Sequence, residues 1–422
     1  MKSTERIEIN KGVSLNLIEE KQFKTSRISI FFKTPIKREN VTKISLLRQV
    51  LKRGCKRFPT VNALSRELEE LYGASLSGGI RKKGDLELFY FTVEYIADRF
   101  AGENLTEKVI ELLYEVVLNP LVKDNAFSEE YLNQEKNNLK NYIEGIINDK
   151  REYAQLRCLS EMFKDEPYGI FEYGYVEDFD DINSKNLYDF YKKIISEAEI
   201  EIFVSGTFSA ETVKSAIAEK FNFPPRDKVV LSTEIAKASE KEKRITENME
   251  VTQSKLCMGL TCGISPKDPR YFALVVYNCV FGGSPFSKLF NNVREKMSLA
   301  YYVFSRIDKM KSFMLISAGI ENDKFDAAYG EIMSQMEKMN CGDVTDEELT
   351  AAKSALSGSF NSMRDSLAAM EDFYMSNLLF DNAPTLDEII EKINLVQKDE
   401  MIAAGKEIKL DTIYFLCGKE AK

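Results

Sequence analysis

The sequence predicts an α+β fold laid down twice, as two homologous domains. Three observations lead there. One order of parts occurs in each half: strand, proline turn, helix, glycine, helix, strand pair, long helix pair, closing strand. The copies are offset by roughly 210–230 residues, far from the 20–50 of stacked repeats, so this is a domain duplication and not an array. The strand-like runs fall in hairpin pairs and the helix-like runs are grouped, the layer pattern of α+β domains. The length of 422 residues exceeds one ordinary core and suits two of about 200 residues each. Each half is expected to be a mostly antiparallel sheet of about five or six strands, with long helices on one face and a cleft toward the other.

In the first half, strand patterns occupy 6–9, 13–19 and 27–33, the last running into Pro35. A helix follows at about 41–53, with Asn40 as candidate cap and Ile44, Leu47 and Leu51 on one face. A second helix spans about 61–72 and stops at Gly73. ASLSGGI and LELFYFTVEY are strands joined by an RKKGD turn. Helical periodicity returns at 105–118 and 128–150 and continues to about 164, and EIEIFVSGTF closes the half as a strand. The second half repeats the scheme. SKLCMGLTCGI is a strand, PRYFALVVYNCVF a buried helix ending at a Gly282–Gly283 cap, and SKLFNNVREKM the next helix. AYYVFSRI and SFMLISAGI are paired strands, helices follow at 323–339, 346–372 and 385–393, and TIYFLCG closes the half. The stretch 223–249, with its prolines and its charge run, is expected to be a linker. The division is therefore 1–222, linker 223–249, and 250–422.

Composition excludes several function classes. The net charge of −9 argues against a nucleic-acid surface. The opening residues MKSTERIEIN carry no apolar core, and YFALVVYNCVF is too short to span a bilayer, so no membrane partner and a cytoplasmic location are expected. Seven scattered cysteines without a C-x-x-C pair read as reduced, mostly buried small residues. The chain contains no histidine. That removes the commonest general base and the commonest zinc ligand at once, and excludes any Ser-His or Cys-His nucleophile within this chain.

One stretch carries a specific likeness. LFNNVREKMSLAYYV at 289–303, after the glycine-containing FGGSPFSKLF, resembles the second-domain signature of the pitrilysin/insulinase zinc peptidases, which include the mitochondrial processing peptidases. The likeness extends over nearly the whole chain. KTPIKRENVTKISLLRQVLKRGCKRFPT…LEELYGASL is similar to a bacterial, catalytically degenerate subgroup associated with elongation factor P modification. The resemblance implies the insulinase/LuxS-type metallopeptidase duplication. Active members carry H-x-x-E-H on the first-domain helix. Two imidazoles at i and i+4 face one Zn²⁺, the glutamate takes a proton from zinc-bound water, and a distant glutamate completes the metal site. Aligned on Gly54, those three motif positions hold Ser45, Arg48 and Gln49. The distant ligand falls on the helix near Glu135. If Glu135 matches the family's outer glutamate, the ligand position seven residues on is Tyr142, with Glu144 as the alternative in a shifted register.

The implied consequences are concrete. A permanent cation at Arg48 opposes a dication, and Ser45 and Gln49 are weak ligands, so neither catalytic zinc nor peptidase activity is expected of the chain alone. No cofactor is expected here; zinc is expected only in a partner chain. By residue chemistry, Ser45, Arg48, Gln49 and Lys52 form one polar helix face, expected to be solvated, with a basic cleft lining that grips a carboxylate as the alternative. Tyr142 shares a stripe with Leu139, Ile143 and Ile146 and is expected to pack in the core. Arg294 and Tyr301 match the family's arginine–tyrosine pair, which hydrogen-bonds substrate and steadies the charge developing on the attacked carbonyl. Their plain alternatives are a helix C-terminal cap and a packed strand residue. Met297 and Ser298 stand where the family usually has arginine and glycine, and SLSGG at 75–79 lacks the Asn-Ala pair of its substrate-pairing edge strand. The expected role is a noncatalytic subunit that binds a peptide or protein substrate beside a homologous subunit retaining the zinc motif. A homodimer, or a binding and assembly module with no part in proteolysis, is the alternative.

Overall fold

The computed structural model describes residues 4–229, 234–380 and 383–418. Its two compact units exchange segments. Unit 1 comprises 1–144, 170–231 and 367–375; unit 2 comprises 145–169, 232–366 and 376–422. The expected division at 1–222 and 250–422 is thus crossed twice: 145–169 belongs with the second unit and 367–375 with the first.

The first unit begins with strands β1 (Glu5–Asn10), β2 (Val13–Glu19) and β3 (Thr25–Pro35). Helices α1 (Arg38–Leu51) and α2 (Val61–Glu70) follow, then the hairpin β4 (Ser75–Lys83) and β5 (Leu86–Ile96). After these come α3 (Asp98–Ala101), α4 (Leu105–Leu118), a small hairpin of β6 (Val122–Lys123) and β7 (Ala126–Phe127), and α5 (Glu129–Gly145). Helix α6 (Lys150–Met162) belongs to the second unit. The chain returns with α7 (Ser184–Glu197), β8 (Glu199–Gly206) and α8 (Ala210–Lys220). Helix α1 starts at Arg38 behind an extended Lys37, so Asn40 lies inside the first turn and is not the cap.

The sheet of this unit runs β1-β2-β8-β3-β5-β4, with β2 and β8 parallel and the other pairs antiparallel. Alternation along each strand sends Ile28, Ile30, Phe32, Phe89, Phe91, Val93, Ile200 and Ile202 into one apolar core with α1, α4 and α7. The other face is not left open, as expected, but is buried and polar, with Ser29, Thr92 and Ser205 fully inaccessible. Glu371, from the segment received late in the chain, accepts bonds there from Arg27 Nε (2.7 Å), Ser29 Oγ (2.8 Å) and Ser205 Oγ (2.6 Å). Beside it Asp372 meets Arg81 at 2.6 Å and Lys83 at 2.9 Å.

The second unit contains β9 (Lys243–Met249), β10 (Ser254–Thr261), α9 (Tyr271–Asn278), β11 (Ala300–Asp308) and β12 (Phe313–Ile320). It continues with α10 (Phe325–Asn340) and α11 (Asp346–Ser362). Helix α12 (Leu367–Asn377) lies mostly in unit 1, and α13 (Leu386–Leu395), α14 (Lys398–Gly405) and β13 (Lys409–Gly418) complete the chain. The sheet order is β11-β12-β10-β13-β9, with β13 and β9 parallel. Two expectations change. The region expected to be linker ends in β9, an edge strand whose residues alternate between half-buried and exposed; its charge run hid that alternation. The helix expected over 346–372 is two, broken at Met363–Asp365 where the chain passes between units. Asn361, Ser362, Asp365 and Ser366 are poor helix-interior residues, which makes the break easy.

Helix α6 packs on this sheet through Ala154, Cys158 and Met162, against Cys257, Leu315, Tyr414 and Leu416. It passes close to Gly259, where a Cβ would stand 2.6 Å from the flexible Met162 Sδ. Lys243 Nζ donates to the last-turn carbonyls of Glu161 (3.0 Å) and Met162 (3.2 Å), at the negative end of the helix. Five cysteines are buried, Cys417 is half-buried and Cys341 is exposed. No helix among the described residues is long and apolar enough to cross a membrane.

Candidate functional site

In unit 1 the three motif positions sit on α1, but not on a solvated face. Ser45 is 1% exposed and Arg48 9%, while Gln49 and the capping residue Lys52 are half-buried. A segment about 130 residues away in sequence covers part of the same helix. The segment 171–178 lies against α1: Tyr175 N–H donates to Thr42 Oγ1 at 3.0 Å, and Asp178 accepts from Thr42 and from Arg38 Nη1 (2.6 Å). Gly174 has φ +86° and is pressed so closely onto Thr42 that no side chain fits.

Arg48 reaches from α1 to the edge strand β4, where Nη1 donates to the Gly78 carbonyl at 2.9 Å. Its Nε is buried and without a hydrogen-bond partner among the described residues, and so is Ser45 Oγ. Burial lowers the Arg48 guanidinium from its ordinary value, while Tyr173, Tyr90, Glu135 and Tyr142, all within Coulombic reach, favour its charge. The Lys52 ammonium is lowered first by burial and then by Arg48 beside it.

Glu135 is buried and held by Arg53, with Asn138 Nδ2 donating to its other oxygen at 3.2 Å. Tyr142 corrects the core expectation: it is 45% exposed, its ring set edge-on to Tyr173 at 4.8 Å. Glu144 is exposed, 3.8 Å from Lys140. These residues do not fit a dication. The position of the base is a buried guanidinium, the nearest carboxylate is engaged by an arginine, and the remaining donors are a hydroxyl, an amide and a phenol. Among the described residues no group of three or more His, Cys, Asp or Glu could hold a metal ion.

Unit 2 carries Arg294 and Tyr301. The helical turn Leu289–Lys296 is wound wide, in π geometry, and ends at Met297. Ser298 then takes φ +51°, and Leu299 N–H closes onto Val293 O at 2.9 Å. The left-handed turn that a glycine would favour is thus kept, with serine in it. Tyr301 is the extra residue of a β-bulge: Ala300 pairs with Ile320 and Tyr302 with Gly319, leaving Tyr301 unpaired. A bulge re-aims its side chain, and Tyr301 is 59% exposed, its hydroxyl 3.5 Å from Glu321. Arg294 is 42% exposed, stacked over Phe290 at 4.8 Å with Nε 3.6 Å from Glu295. The helix end is closed by backbone N–H groups, not by Arg294, and Tyr301 does not pack in the strand. Gly282 is not a simple cap either. Helix α9 continues as a wide turn over Cys279–Gly283, and a Cβ at Gly282 would stand 2.8 Å from Ser305 N.

A family model for the peptidase M16 inactive domain matches residues 181–356. The probable inactive metalloprotease YmfF of Bacillus subtilis (strain 168) is 34% identical over 413 residues, spanning 97% of this chain and 96% of that one. The chain belongs to the peptidase M16 family. It is an inactive-peptidase homologue within it, and the expected pitrilysin/insulinase relationship is borne out. Among solved structures, a conserved protein from Enterococcus faecalis V583 matches with a TM-score of 0.93 at 30% identity, over 99% of both chains. An M16 inactive domain from Pseudomonas fluorescens matches with a TM-score of 0.82 at 19% identity, over 100% of this chain and 99% of that one, a likeness of fold. The duplicated α+β architecture is the M16 architecture. Sequence reasoning missed Tyr173 and Gly174, which bury the polar face of α1. The run YGYVEDFDD was the available signal, a glycine between aromatics next to acids that pair with Arg38.

Proposed function

We propose that this chain is the noncatalytic subunit of a two-chain zinc peptidase, giving Arg294 and Tyr301 to an active site whose zinc and base belong to a homologous partner. One observation carries the reading. Both side chains are largely exposed beside local devices, a wide helical turn and a bulge; Arg294 stacks on Phe290 of its own turn but closes no helix end, and Tyr301 is left unpaired by its strand. A guanidinium fork and a phenol are both donors to an oxyanion, the task the family gives this pair.

The test is co-purification with a relative that keeps H-x-x-E-H, followed by a peptidase assay. Arg294→Ala and Tyr301→Phe should each lower kcat by about a hundredfold, the weight of one oxyanion donor, while the complex stays assembled. Full activity of both variants would end the shared-site reading. A binding module without a role in proteolysis is the second reading, favoured by the cationic face around Arg48.

A further inference from the structure

The charge inversion at the former metal position leaves more than a lost site. Ser45, Arg48, Gln49 and Lys52 stand at i, i+3, i+4 and i+7, on one side of α1 and its cap. Two cations are neighbours there, and the fold accounts for only part of them. Arg48 Nη1 is taken by the Gly78 carbonyl, and no other hydrogen bond of Arg48 exists among the described residues. The Lys52 ammonium has neither an ion pair nor a hydrogen bond among the described residues, although the residue is half-buried beside a like charge. Glu135, a carboxylate within Coulombic reach of both, is engaged by Arg53 and Asn138. Two adjacent, partly desolvated cations whose nearby carboxylate is already engaged elsewhere form an arrangement that a bound anion stabilises.

We propose that this face of unit 1 is a carboxylate-binding site for an acidic peptide, with Arg48 as its floor and Lys52 and Gln49 as its rim. The guanidinium offers donors in a fixed fork, the ammonium a second charge, and the Gln49 amide adds a neutral donor. Lys52 and Gln49 are partly exposed and give access, and the buried Ser45 hydroxyl has no hydrogen-bond partner among the described residues. The carboxylate can be an acidic side chain or a chain end; both present the same two oxygens. The proposal involves this chain alone and is independent of the two-subunit reading.

Fluorescence anisotropy on the full-length chain tests it, with three labelled probes: a Gly-Glu repeat ending in an amide, a Gly-Gln repeat with a free carboxylate, and a Gly-Gln repeat ending in an amide. At least one carboxylate probe should bind better than the neutral amide, with affinity falling as salt is raised. Lys52→Gln and Arg48→Gln should each weaken that binding by about tenfold or more. Binding of the Gly-Glu amide assigns side chains as the source, and binding of the Gly-Gln acid assigns a chain end. Lys52→Gln removes no described contact, so its folding is not at stake, and a matching melting curve verifies that. Failure of both carboxylate probes to exceed the neutral one overturns the site. So does a Lys52→Gln chain that binds as tightly as the natural one.

Discussion

Single residues in this chain carry unusual electrostatic loads, and Glu87 is the clearest after Arg48. It lies on β5 facing the apolar core, fully buried, and neither carboxyl oxygen has a hydrogen-bond partner among the described residues. Burial, with some help from Glu172 and against Lys82, pushes its carboxyl up from 4.5 to about 8. The folded chain therefore holds this proton more tightly than the unfolded one. The linked stability is fully present below the unfolded value near 4.5 and is lost as pH rises toward 8, by at most about 1.4 kcal/mol per pH unit. Replacing Glu87 with methionine removes both the proton linkage and two unsatisfied oxygens while keeping the volume. Urea unfolding should show Glu87→Met to be more stable by about 1–3 kcal/mol at pH 8, with a smaller gain at pH 5. An equal gain at both values would mean that Glu87 does not titrate in this window.

At the scale of elements, the turn between Leu289–Lys296 and β11 shows how a sequence departure is absorbed. Ser298 sits at φ +51°, a conformation costing an L-residue roughly 1–2 kcal/mol, offset in part by the greater chain entropy of glycine. Ser298→Gly should therefore raise unfolding stability by about 0.5–1 kcal/mol, measured by chemical denaturation. A loss would show that the serine side chain holds the turn. The same turn shows what a sequence discloses. Its residues VREKMSLAY were legible because the chemistry is local and contiguous. The hairpins β4–β5 and β11–β12 were legible for the same reason, through alternation and turn residues. The helix α7 was missed although Asn183 and Asn186 form a reciprocal capping box at its start. Its Asn-x-x-Asn spacing lies outside the usual Ser/Thr-x-x-Glu form. The buried face of α1 was not legible at all. Its polar pattern describes a solvated surface, and only the fold brings Tyr173 and Gly174 over it. The exposure of Tyr142 follows likewise from tertiary placement, against a helical stripe that reads as core.

For the molecule as a whole, the exchanged segments decide what can fold alone. The residues of unit 1 are not contiguous, because 367–375 arrives from far along the chain. That segment provides Glu371 for Arg27, Ser29 and Ser205, and Asp372 for Arg81 and Lys83. Its Leu367, Met370, Phe373 and Met375 are all buried. A fragment of 1–231 would lose the three hydrogen bonds to Glu371, charge-assisted bonds each worth about 1.5–3 kcal/mol, although Ser29 keeps Thr92 and Arg27 keeps Glu94 and Thr92. It would also lack the apolar surface of four large side chains, each contributing about 1.5–3 kcal/mol when fully buried. Together these losses are comparable with the whole stability of a typical domain, about 5–15 kcal/mol. The fragment should therefore give weak near-ultraviolet dichroism and a broad, poorly cooperative melt. A synthetic peptide of residues 364–378, added in trans, should restore a sharper transition, with a midpoint that rises with peptide concentration by mass action. A substituted peptide with Glu371→Ala should rescue less well, since it returns the apolar contacts without the carboxylate. If 1–231 alone melts as sharply as the full chain, the exchanged helix is an accessory; concentration-dependent rescue would make it a structural part of the first unit.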